Sequence, residues 1–342
     1  MFTFLKLLRN PIADKLQTIC EQLNLDSDIE IETFLEKNQY FKNILSGIET
    51  YKNTKNYYYG IYKNSNYVLE VLESSEDYIN LESLKQLIQD YKTIDDKRNL
   101  HILETFLPKT EIPSYDRVSS ITGRQKILNG PQILTLKKDD RKKIFSDKNL
   151  FLIDFSALEP SFLFQILGFY DLNYEDLYSS IKSNLNLKFI DRAAIKLAVL
   201  KILYGSNIDH IKEINHEESI KLEKFLLNDK FLKFKEMLHS DLYEKGQLYN
   251  IFGKPLLSRA QVENSDFQPY MLVNYFIQSS AADLSLLLLS DFCKKYANHI
   301  NPLFVIHDAL LFYAKPSFSK EKIMKLKYEN YEIFAKITHS NE

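Results

Sequence analysis

The most constraining feature of the chain is the segment Leu303-Phe304-Val305-Ile306-His307-Asp308-Ala309-Leu310-Leu311-Phe312-Tyr313. Two apolar, strand-like runs flank one polar dipeptide. Nine apolar residues at this density must be buried, and the short interruption leaves little but a hairpin to fold them into. A second run, Leu150-Phe151-Leu152-Ile153, is also strand-like and leads directly into Asp154. Both runs therefore carry a carboxylate next to a buried strand. Taking an unpaired carboxylate from water costs several kcal/mol, so each needs a partner. A divalent cation is one, since Mg²⁺ prefers hard oxygen ligands, and two carboxylates sharing two ions make a phosphoryl-transfer site. Residues of the same kind also serve as a helix N-cap at Asp154 or as a turn residue at Asp308.

The rest of the chain supplies mainly helices. Ile12 to Leu25, Leu81 to Phe106 and residues 157 to 245 show apolar residues at three- and four-residue spacing. Leu187 to Tyr204 is the clearest helix, with Asp191 as an early cap, and Tyr270 to Lys294 reads as a long one. Tyr57 to Leu72 reads as a hairpin about Asn64-Ser65-Asn66, and Ile251 to Leu257 as another around Gly253. The fold class is α+β, a small antiparallel sheet surrounded by helices.

Charge is informative by position. The net charge is −2, but Arg117 to Lys148 holds nine Lys/Arg and three Asp, whereas residues 1–110 hold 13 basic and 17 acidic groups. A basic stretch in a neutral chain fits a groove that neutralises phosphates, or simply a solvated basic loop. No apolar run approaches the ~20 residues of a membrane span. Lys6 and Arg9 interrupt the apolar N-terminus, and Cys20 and Cys293 match no zinc spacing. An intracellular, cytoplasmic chain is expected, of a bacterial or phage-infected cell.

Within 187–204, Arg192, Lys196, Leu200 and Tyr204 recur every four residues and share one helix face, followed by Gly205. Two cations at the start of that face suit a triphosphate. An apolar core helix with snorkelling cations has the same pattern.

Arg-x3-Lys-x3-Leu-x3-Tyr-Gly resembles the fingers-helix motif of family A DNA polymerases, the DNA polymerase I family. Asp154-Phe155-Ser156-Ala157-Leu158-Glu159 resembles that family's first palm motif, and His307-Asp308 its last. Thr122-Gly123-Arg124 matches the family's Thr-Gly-Arg. Asn274 to Asp283 resembles its primer-template helix, and Phe252-Gly253-Lys254 its Gly-Arg hairpin. The six occur in the family's order over residues ~115–315.

The resemblance implies a right-hand polymerase fold. Its parts would be an N-terminal and thumb region over 1–110, palm over 111–173 and 246–342, and fingers over 174–245. It implies a template-directed DNA polymerase that adds deoxynucleotides to a primer 3′ end in replication or repair, with two Mg²⁺ replaceable by Mn²⁺. Asp154, Asp308 and the Phe155 carbonyl would hold the metals. Arg192 and Lys196 would grip the triphosphate, with Leu200 and Tyr204 along the sugar and base. Glu159 would pair with Tyr204 and block the ribose 2′-hydroxyl. Thr122, Arg124, Gly205, Lys254, Asn274, Gln278 and His307 would contact DNA, largely through the minor groove that all base pairs share. Partners implied are primer-template DNA, dNTPs and other replication proteins, with no membrane and a monomeric chain. No proofreading exonuclease is expected.

The match departs at Ala309, where the family has a third carboxylate, and at Leu200, where it has an aromatic ring. Tyr270 stands in place of an Arg, Ser279-Ser280 in place of Gly-Thr, and Gln125-Lys126 follows Arg124. Two alternatives stay open: a single-subunit RNA polymerase, and an inactive polymerase-like DNA-binding or replisome protein.

Overall fold

The computed structural model describes residues 56–107, 112–205, 211, 214–263, 267–268, 270–319 and 323–341. The helix expected from Ile12 to Leu25 lies outside them. In chain order the elements are helices α1 (Asn56–Glu70), α2 (Leu81–Thr93) and α3 (Lys97–Glu104), strands β1 (Ser114–Asp116) and β2 (Lys126–Asn129), helix α4 (Lys138–Ile144) and strand β3 (Leu150–Phe155). Helices α5 (Leu158–Ile166), α6 (Leu177–Asn184), α7 (Arg192–Leu203), α8 (His216–Leu226) and α9 (Asp229–Lys245) follow. Strands β4 (Gln247–Tyr249) and β5 (Pro255–Ser258), helices α10 (Arg259–Glu263) and α11 (Tyr270–Lys295), and strands β6 (Ile300–Ile306), β7 (Ala309–Ala314), β8 (Ile323–Tyr328) and β9 (Tyr331–His339) complete the described chain.

The expected hairpin over 57–72 is instead helix α1. Its buried residues Tyr58, Ile61, Ser65 and Val68 recur every three or four positions and lie against α11. Tyr and Val favour strands only weakly, and a helical stripe that meets an apolar partner overrides that preference. Ser290 of α11 fixes the pairing: it accepts from the Val68 N–H at 3.0 Å and donates to the Ser65 carbonyl at 3.1 Å. The span 81–106 is also two helices where one was read. Asp95 takes φ 53° between them, and Asp96 caps α3 by accepting from the Asn99 N–H.

One antiparallel sheet runs β6-β7-β3-β9-β8, with β3 at its centre. Because side chains alternate, Phe151, Ile153 and Phe155 face α1 and α11, while Leu150 and Leu152 face the cluster of α2, α3 and α4. Tyr115 closes the β6 edge, its hydroxyl donating to the Val305 carbonyl at 2.7 Å and accepting from the Val305 N–H at 3.1 Å. The other edge, β8, shows exposed Lys325 and Lys327 to solvent.

Helix α11 joins two cores. Its first turns (Leu272, Val273, Phe276, Ile277) enter the helical core of α5 to α9, and its later turns enter the sheet core. It has the length and hydropathy of a membrane span, contrary to the expectation that no run would. Of its most apolar window, 83% is buried inside the protein, as for a helix that is core on all sides.

Candidate active site

Asp154 follows Leu150 and Leu152 on one face of β3, on the side of the sheet covered by α4. In register it stands opposite Ala309 of β7 and Lys336 of β9. Ile306 pairs with Ala309, so His307 and Asp308 are the two residues of the β6–β7 turn. Asp308 is thus a turn residue, and it is also one residue from the neighbour of Asp154. Adjacent strands lie ~4.8 Å apart, which brings the two carboxylates together from positions 154 residues apart in sequence. His307 takes φ 56°, a left-handed conformation that two-residue hairpins require and that is uncommon outside glycine.

The electrostatics follow from this placement. The Asp154 carboxyl keeps access to solvent but is ringed by protein. That desolvation, then the charge of Asp308, raises its pKa to about 6, against the opposing pull of Lys196, Arg141 and Lys138. Desolvation also raises Asp308, partly offset by its own backbone N–H and by His307, Arg124 and Lys196. Among the described residues neither carboxylate makes a salt bridge. Burial lowers the His307 pKa, and a hydrogen bond with the Leu134 backbone works against it. Asp154 does not cap α5. Ala157, at φ 49°, occupies that N-cap position without a side-chain bond.

In its metal-free form the folded protein holds the Asp154 proton to about pH 6, whereas an unfolded Asp releases it near 3.9. The native state binds more protons in that window, so this contribution to stability is full below the unfolded pKa and is lost as pH rises to about 6. Asp154→Asn should flatten the fall in Tm between about pH 4 and 6. A fall of equal slope in wild type and variant would refute the assignment.

Glu159 lies in the first turn of α5 and forms an ion pair with Arg124, not the expected pair with Tyr204. The Tyr204 hydroxyl is buried with no hydrogen-bond partner among the described residues. The guanidinium is the stronger partner for a carboxylate, and it also draws down a Glu159 pKa that burial raises. Arg124, Glu159, Gln278, His307 and Asp308 line one pocket.

The remaining expected residues lie along α7, at its C-terminal end or in the interior. Along α7, Arg192 and Lys196 are exposed and Leu200 is half-buried. Arg192 donates to Asp176 at 2.9 Å and lies over the Tyr178 ring, while Lys196 acts on both aspartates. Gly205 takes φ 75°, and a Cβ there would meet the Tyr270 Cβ at 2.4 Å. Asn274 is half-buried, its carbonyl oxygen without a hydrogen bond among the described residues. Phe155 and Thr122 are buried. Lys254 is only 2% exposed, with its ammonium over Gly123, where an added Cβ would come within 2.2 Å of Nζ. Its ammonium is packed against the Thr-Gly-Arg turn.

No protein-family model matches the chain, and no curated protein matches it in sequence. Among solved structures it is similar to the POL domain of Pol1 from M. smegmatis, in complex with DNA primer-template and dNTP, with a TM-score of 0.51 at 16% identity. The fold is polymerase-like. The match covers 68% of this chain and 49% of that one, so the chain spans about half the length of that structure.

Three residues near the aspartates were not singled out from sequence: Arg141, Lys138 and Lys336. The first two belong to the basic stretch, and their three-residue spacing was the available signal. Nothing in the sequence alone puts Lys336 beside Asp154, because only the pairing of β9 with β3 brings the two positions together.

Proposed function

We propose that the chain is a template-directed DNA polymerase that extends a primer 3′ end with deoxynucleotides, in replication or repair. One observation carries this proposal: Asp154 and Asp308 are brought together across β3 and β7 within a polymerase-like fold. The neighbour's DNA and dNTP are by analogy the substrates. The sheet with α11 would be the palm, α6 to α9 the fingers, and the region through α3 the thumb side.

The donor set fits a hard divalent cation. Two crowded carboxylates lacking a salt bridge among the described residues have raised pKa values, which a bound cation would bring down. Asp154, Asp308 and the Phe155 carbonyl would hold two Mg²⁺, or Mn²⁺. Such ions lower the pKa of the attacking hydroxyl and neutralise charge on the leaving phosphates. Arg192 and Lys196 would orient the triphosphate, and Lys196 is the cation of that helix whose charge reaches both aspartates. Glu159, held by Arg124 beside Asp308, would crowd a ribose 2′-hydroxyl.

Primer extension with dNTPs and with NTPs tests the substrate class. We expect a clear preference for dNTPs in Mg²⁺. Comparable NTP use would favour an RNA polymerase. A second reading, a polymerase-like DNA-binding protein without catalysis, is motivated by Ala309 and Leu200, which stand where the resembled motifs carry a third carboxylate and an aromatic ring. Primer-template binding with no extension in Mg²⁺ or Mn²⁺ would support it.

A further inference from the structure

Helix α4 carries charges to the aspartates from a firmly fixed position. Ile144 and Phe145 are fully buried. Asp140 accepts from the Tyr91 hydroxyl at 2.8 Å, the Asn80 N–H donates to the Ile144 carbonyl at 2.8 Å, and the Ser340 hydroxyl donates to the Phe145 carbonyl. On this anchored helix Lys138 and Arg141 are three residues apart, hence on one face. That face is turned to Asp154, on which both charges act. Lys336 emerges on the same side of the sheet from the paired position of β9.

Arg141 is half-buried, yet among the described residues its guanidinium makes no hydrogen bond and no ion pair. A guanidinium has five N–H donors in a fork that matches phosphate. Half-buried, these donors still reach water, so a phosphate arriving at this face would meet that fork together with the Lys138 ammonium. An anion beside Asp154 would meet Arg141 and Lys138, the two α4 cations whose charges act on that carboxylate.

We propose that Arg141 and Lys138 form a phosphate-binding site beside Asp154. The proposal builds on the polymerase reading only for the origin of the phosphate, which is either the nucleotide's triphosphate and its pyrophosphate product or a backbone phosphate of the nucleic acid.

Binding measured without turnover tests it. Wild type, Arg141→Gln, Arg141→Lys and Lys143→Gln are compared after circular dichroism confirms their fold. Inorganic pyrophosphate with Mg²⁺ is titrated by calorimetry, and a recessed primer-template by fluorescence anisotropy between 50 and 200 mM salt. Arg141→Gln should weaken at least one ligand about tenfold, with partial recovery in Arg141→Lys. Lys143→Gln, exposed on the same helix, should stay within about twofold. A loss confined to pyrophosphate assigns the nucleotide. A loss confined to primer-template, with the salt slope reduced by about one, assigns the backbone. The site is overturned if wild type binds neither ligand, if Arg141→Gln and Arg141→Lys both match wild type, or if Lys143→Gln loses as much. These outcomes are independent of whether the chain extends a primer, so failure of the polymerase proposal is seen separately.

Discussion

Primer extension by Asp308→Asn should fall at least about 10³-fold below wild type in Mg²⁺, the scale expected when a transition state loses its electrostatic clamp. The substitution keeps the size of the side chain. Asn is well tolerated in hairpin turns, so the β6–β7 turn and its pairing with β3 should survive. What it removes is one of two negative charges at a site where the pKa of the second, Asp154, is raised by desolvation and by the charge of Asp308 itself. Two effects oppose each other in the variant. Losing the Asp308 charge makes Asp154 easier to ionise, which favours metal binding. Losing an oxygen anion ligand weakens the pair that would bridge two ions. The second should win, because a neutral amide cannot share a divalent charge, and Ala309 offers no third carboxylate to take over. Asp154→Asn should show a loss of similar size. Undiminished extension by Asp308→Asn with an unchanged melting temperature would overturn the site assignment, whatever the chain binds.

The parts of the fold legible in sequence were those whose burial is complete. Leu150–Ile153 and Leu303–Tyr313 are apolar without relief, and both became strands of the central sheet. Tyr270–Lys294 was read as the long helix it is. Elements with one wet face were harder. β8 alternates exposed Ile323, Lys325 and Lys327 with buried Met324, a weak signal on an edge strand. Tyr57–Leu72 misled because its aromatic content suggests strands, whereas its helical stripe acquires meaning only beside α11. At the site, Asp154 and Asp308 could be paired from sequence only through resemblance, since pattern alone favours a helix cap and a turn residue. The Arg124–Glu159 pair, and Arg141 facing Asp154, depend on which loop folds over which strand. Local propensity holds no record of that.

Arg117→Met should cost about 3–5 kcal/mol of stability, the range for breaking one side of a buried ion pair. Arg117 is 3% exposed and Asp283, in the middle of α11, is 1% exposed. The guanidinium bonds the Asp283 carboxylate, the Ser65 hydroxyl and the Asn66 side-chain oxygen. The second Asp283 oxygen accepts from Asn250 at 2.7 Å, and the Asn250 oxygen in turn accepts from the backbone N–H groups of Phe252 and Lys254. One network thus ties α1, the segment before Thr122-Gly123-Arg124, the β4–β5 turn and α11. Removing only the cation leaves Asp283 charged and buried with the Asn250 amide and the neighbouring Tyr58 hydroxyl alone, which is far worse than removing both charges. Arg117→Met with Asp283→Leu should therefore recover most of the loss, since Asn250 keeps Ser279 as an acceptor at 3.1 Å and half-buried Asn66 can turn to water. Urea unfolding at pH 7 measures both variants. A single variant within about 1 kcal/mol of wild type would show that the pair holds no stability in reserve. If the double variant regains stability but extends primers poorly, the network's value lies in where it sets the Thr-Gly-Arg turn. Lys254, in the β4–β5 turn, leans on Gly123, one residue from the arginine that holds Glu159.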